Sequence, residues 1–161
     1  LGYIYTEMGA YTQAEDHYRK TISFPVSYYG NYHDRAILHL KLGDLKQAER
    51  DFKRAVSMDG SFIPARHGLG YVYLLKDDPK QALKQFRRAE RRANSDADRA
   101  ESIARQAFAH YQLGDTAGAA EQWSRLLALD PTYADPRTHA DKFNDVQLYI
   151  DLASKIMAIA I

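Results

Sequence analysis

The chain has 161 residues, 45% of them hydrophobic, and sets 22 Lys and Arg against 21 Asp and Glu for a formal net charge of +1. That balance excludes bulk polyelectrolyte attraction to nucleic acid or anionic membrane as the main driving force, and no run of about 18 uncharged apolar residues offers a membrane span. The absence of Cys excludes disulfides, thiolate metal sites and cysteine nucleophiles, and is compatible with both reducing and oxidising compartments.

The first element, residues 1–8, starts inside a helix-like pattern with Leu1 in place of Met, as expected of a piece of a longer polypeptide. Apolar spacing then predicts helices in pairs: the truncated 1–8 with 11–23, 31–42 with 45–57, 63–76 with 79–93, and 97–112 with 116–129. Each pair turns at a hinge. Gly9, Gly43, Asp77 and Gly114 stand 34, 34 and 37 residues apart. The three additional residues of the last spacing fall in "RRANSDADRAE", where a longer loop or an extra part-turn of helix is expected. After Asp130-Pro131 the regularity stops. Asp135-Pro136 reads as another helix start, and Val146, Ile150, Ala153, Met157 and Ile161 keep helical spacing to the end. This C-terminal segment, 134–161, is expected either to cap the array or to meet a partner or a second copy, because "IMAIAI" is apolar all round.

The copies agree in more than their hinges. Five residues after each hinge stand Ala14, Ala48, Ala82 and Ala119; four further on stand Tyr18, Phe52, Phe86 and Trp123. Seven residues before each hinge the residue is Gly2, Ala36, Gly70 or Ala107. Seventeen after it, a proline stop is present only as Pro131, the other copies having Val26, Gly60 and Asn94. Helices crossing with axes about 8–10 Å apart need small residues where they touch. The aromatic ring then fills the space between pairs. Gly at the hinge permits the left-handed conformation that ends a helix; in the third copy Asp78-Pro79, an N-cap followed by Pro at the first helical position, is expected to take its place.

Small, Ala and aromatic residues at these offsets resemble the tetratricopeptide repeat (TPR) family, over about residues 1–133. The resemblance implies an all-α solenoid of about four helix-turn-helix repeats (1–28, 29–62, 63–96 and 100–133), stacked as a right-handed superhelix. One unit cannot bury its own apolar face, so copies cover one another. It further implies a concave groove, lined by the first helices, that holds a peptide or helix of a partner protein. The groove positions are then Tyr3, Ile37, Tyr71 and Phe108; Leu40, Leu74 and Tyr111; and His33, His67 and the neighbouring Arg105. Whether a partner or the chain's own capping segment fills that groove stays open. One TPR subgroup grips a C-terminal carboxylate with Lys and Asn; the matching positions here are Tyr3, Asp34, Pro64 and Gly68, so that clamp is absent.

On the third second-helix, Lys84, Arg87, Arg88, Arg91 and Arg92 share one face, opposite Ala82, Phe86, Ala89 and Ala93. This convex basic ridge reads as a solvated face, a dock for an acidic protein, or a contact for nucleic acid or anionic lipid. Catalysis, metal and cofactor binding find no support. The six histidines form no pair three to five residues apart, His39 and His110 sit where the family packs a Tyr, and no phosphate loop or nucleophile elbow is present. The expected function is a non-catalytic interaction scaffold, soluble in cytoplasm or periplasm. The alternatives are a regulatory segment of a larger enzyme and a self-assembling structural protein. Ala- and Arg-rich second helices without Cys suggest a bacterial source.

Overall fold

The computed structural model describes residues 1–24, 28–143 and 146–160. Val26, Ile161 and the Val146 side chain, named above, lie outside the described residues. Among the described residues all regular structure is helical. The chain forms two compact units, residues 1–76 and 77–161.

The first unit holds α1 (Gly2–Glu7), α2 (Tyr11–Ile22), α3 (Tyr29–Lys41), α4 (Leu45–Met58) and α5 (Ile63–Leu75). Small residues sit at the crossings as the spacing requires. Ala14, Ala36 and Ala48 are fully buried, and a Cβ on Gly2 would come within 2.6 Å of the Tyr18 ring. Phe52 is fully buried between α4 and α5, and its ring occupies the space a Cβ on Gly68 would need. Burying such a ring contributes about 2–3 kcal/mol. Polar ties reinforce the pairs: Arg35 donates to both Asp51 oxygens at 2.6 and 2.7 Å, and Glu49 pairs with Lys53 on its own helix and with Lys76 beyond α5.

The second unit holds α6 (Pro79–Glu90), α7 (Asp96–Gln112), α8 (Thr116–Leu129), 3-10 turns at Pro131–Ala134 and Ala140–Lys142, and α9 (Val146–Ala160). Ala82, Ala107, Ala119, Phe86 and Trp123 are all fully buried. The longer third spacing is taken up mainly as helix. α7 runs for 17 residues against 13 in α3 and α5, capped by Ser95, whose Oγ accepts the Asp98 N–H.

All four hinges adopt the left-handed conformation: Gly9, Gly43 and Gly114 with φ of 74–76°, and Asp77 with φ 57°. The third copy therefore does not dispense with the hinge; Asp77 bends there and Asp78 additionally caps α6, accepting the Gln81 N–H at 3.1 Å. Asp44 and Asp115 cap α4 and α8 in the same way.

Three expected boundaries differ, the first being the start of α3, at Tyr29 rather than residue 31. α6 ends at Glu90, not at residue 93, because Arg92 and Ala93 bond back three residues, to the Ala89 and Glu90 carbonyls, and the chain tightens into a turn. No α-helix begins at Asp135-Pro136. The Asp135 carboxylate accepts both the Arg137 backbone N–H and its guanidinium, a local bond that competes with helix. His139 stacks on Tyr133 with ring centroids 4.0 Å apart and holds the turn folded back.

α9 packs on α8 and α7, with Tyr149, Ala153 and Ile156 buried and Gln147, Asp151, Ser154 and Lys155 exposed. As far as Lys155 the helix thus turns one face to the core and a polar face outward, while the closing "IMAIAI" buries Ile156 and leaves Ala158 and Ile159 exposed. Ile159 is its one exposed large apolar side chain among the described residues.

Candidate functional site

In the first unit, α1, α3 and α5 are successive first helices, with α3 in contact with both of the others. They carry the inner positions as a ladder. Tyr3 on α1 is 54% exposed; Ile37 and Leu40 on α3 and Tyr71 and Leu74 on α5 are half-buried. Lys41 ties α3 to α1 through Glu7 at 3.2 Å. His33 is half-buried among rings, edge-on to Phe52 and Phe62 with its Nδ1 3.0 Å from Asp34 Oδ1. His67 is 4% exposed, too buried to meet a partner as a surface residue.

In the second unit two of these positions on α7, Arg105 and Phe108, are already covered. Phe108, 5% exposed, meets the Phe143 ring at 5.7 Å and the Tyr149 ring at 5.4 Å, each edge-to-face. Arg105 lies over Phe143 at 4.6 Å and donates to the Lys142 carbonyl at 2.9 Å. Tyr111 is half-buried against this core. The chain's own C-terminal segment therefore fills this stretch of the first-helix face, and burial lifts the Tyr149 hydroxyl far above its ordinary range.

The basic ridge residues Lys84, Arg87, Arg88, Arg91 and Arg92 are all exposed, but only the first three are on α6. The structure divides them further. Arg87 and Arg91 line an open polar cavity of about 410 Å³ together with Glu90, Arg99, Gln106, Gln122 and Arg125. Among the described residues, no three His, Asp or Glu side chains converge as metal ligands would, and no helix is long and apolar enough to cross a membrane. His39 and His110, at the positions where the family packs a Tyr, are buried at 9% and 8% exposed, each facing a carboxylate.

Residues 33–98, from α3 into the start of α7, match a family model described as "Tetratricopeptide repeat". Over that stretch the chain matches the tetratricopeptide repeat. Solved structures share the fold at low sequence identity. A crystal structure of MamA superposes with a TM-score of 0.73 at 17% identity, covering 99% of this chain and 92% of that one. The Pseudomonas aeruginosa pilF structure gives 0.73 at 17%, covering 96% and 72%. The APC/C hetero-tetramer Cut9-Hcn1 gives 0.68 at 17%, covering 99% of this chain and 31% of that chain. No curated protein matches the chain in sequence.

Within the TPR frame, the residues that sequence reasoning did not place in a site are Arg99 and Arg125. They sit on α7 and α8, and only packing brings them beside Arg87 and Arg91 on the cavity wall. Phe143 and Tyr149, which cover Phe108, were equally hidden, since they follow a segment outside the repeat spacing.

Proposed function

We propose that the chain is a non-catalytic TPR scaffold that binds a segment of a partner protein on the first-helix face of its first unit, at Tyr3, Ile37, Leu40, Tyr71 and Leu74. One observation carries this reading. The equivalent face of the second unit receives aromatic side chains and a backbone carbonyl from the chain's own C-terminal segment, while in the first unit the ladder keeps Tyr3 more than half exposed and its other members partly so. A face built to take Phe and Tyr in one unit suits an aromatic-bearing partner segment in the other. A row of Tyr, Ile and Leu exceeds what solubility asks for, and Tyr is a favoured anchor in interfaces.

The test is capture of partners by the immobilised chain, comparing wild type, Tyr71→Ala and Arg88→Ala. Truncating an aromatic anchor costs about 2 kcal/mol or more, roughly thirtyfold in affinity, so Tyr71→Ala is expected to lose partners that Arg88→Ala retains. Partners that survive Tyr71→Ala and vanish with Arg88→Ala would move the working surface to the basic ridge.

A further inference from the structure

We infer that Arg87, Arg91, Arg99 and Arg125 form a second binding site, separate from the ladder, that takes an acidic peptide segment through its carboxylates. The four guanidiniums come from three elements of one unit: the last turn of α6 and the turn after it, the first turn of α7, and the middle of α8. The only carboxylate among the cavity-lining residues is Glu90. Arg87 and Arg91 make no ion pair or side-chain hydrogen bond among the described residues, and Arg99 is paired only with the 76% exposed Asp96. Guanidiniums gathered around one hollow repel one another, and an anion in the hollow relieves that repulsion.

The cavity's own bonding indicates which anion. The Glu90 carboxylate lies between Arg125, which donates to Oε1 at 2.7 Å, and Gln106, which donates to Oε2 at 2.7 Å. The site thus holds one carboxylate already, and Arg87 and Arg91 offer planar forks that match a second. Its volume of about 410 Å³ leaves room for more than one acidic side chain. Nucleic acid fits less well. No Phe, Tyr or Trp lines the cavity for a base to stack on, Glu90 would face the phosphodiesters, and the chain's net charge of +1 supplies little long-range attraction.

The experiment titrates the full chain into fluorescein-labelled hexaglutamate and follows polarisation, with hexaglutamine and single-stranded oligothymidine as comparison probes and inorganic phosphate as competitor. Hexaglutamate should bind in a salt-sensitive manner. Arg87→Gln with Arg91→Gln should weaken it by about tenfold or more, as expected for lost charge-assisted bonds. Lys84→Gln with Arg88→Gln removes the same charge from outside the cavity and should change affinity by less than about twofold. Both double variants alter exposed side chains, and an unchanged helical circular dichroism spectrum confirms their fold. Equal losses in the two double variants, or no binding of hexaglutamate, would overturn the site. Oligothymidine binding as tightly with the same loss would make it a polyanion surface, and displacement of hexaglutamate by equimolar phosphate would make it a phosphate pocket. Retention of hexaglutamate binding by Tyr71→Ala separates this site from the groove, so either reading can fail alone.

Discussion

Gly43 and Asp77 occupy the same hinge in successive repeats, with φ of 75° and 57°, and only Asp77 carries a side chain into the left-handed region. Left-handed backbone costs a residue with a Cβ about 1–2 kcal/mol, less for Asp, whose carboxylate can bond locally. Gly43→Ala is therefore expected to lower stability by about 1 kcal/mol, and Asp77→Gly to raise it by about 0.5–1 kcal/mol. Urea midpoints of both variants check this; opposite signs are the expected result, and a loss in both would mean that Asp77 is held by its bond from Gln112 rather than strained. Tyr18 supplies a pH prediction. It is 2% exposed, and burial pushes its hydroxyl from 10.0 up to about 12. A raised tyrosine value favours the neutral form in the folded state. The stability it contributes is complete below pH 10 and lost as pH rises toward 12. Alkaline unfolding of wild type should therefore deepen over that window and be shallower in Tyr18→Phe, read by thermal midpoint against pH; equal slopes would sink the assignment.

At the scale of the helix, the repeating Ala marks where two backbones touch. Ala48 and Ala82 are both fully buried at such crossings, one in each unit. Replacing either with Leu forces the helices apart and should cost about 1–3 kcal/mol through overpacking. Unchanged melting temperatures in both variants would show that the crossings lie elsewhere. Helix bounds were largely legible beforehand, because hinge, cap and apolar period agree at each end; α2, α4, α5, α7 and α8 lie within one residue of expectation. The misses have local causes. α6 stops short where its last carbonyls bond three residues ahead, and Asp135 spends its carboxylate on Arg137 instead of capping a helix.

For the molecule as a whole, the decisive element at the C-terminal end of the array is α9. Removing residues 144–161 should bare Phe108, Trp123 and Tyr133, members of one core with Tyr149 and Ile156, and a terminal repeat stripped of its polar cover aggregates or loses cooperativity. Sedimentation and a urea transition of the truncated chain check this; a monomer of unchanged midpoint would make the segment an appendage. The sequence by itself determined the repeat, its hinges, the crossing alanines and the buried aromatics. Each of these is enforced within one helix pair at a fixed spacing, so a period in the chain records it. The tertiary structure alone decided which first-helix face is already filled and which arginines share a cavity. Phe108 and Phe143 are far apart in sequence, as are Arg87 and Arg125, and no period relates them. Such pairs meet only because the residues after the last repeat fold back on α7, and because α7 brings its two neighbours within reach of one another.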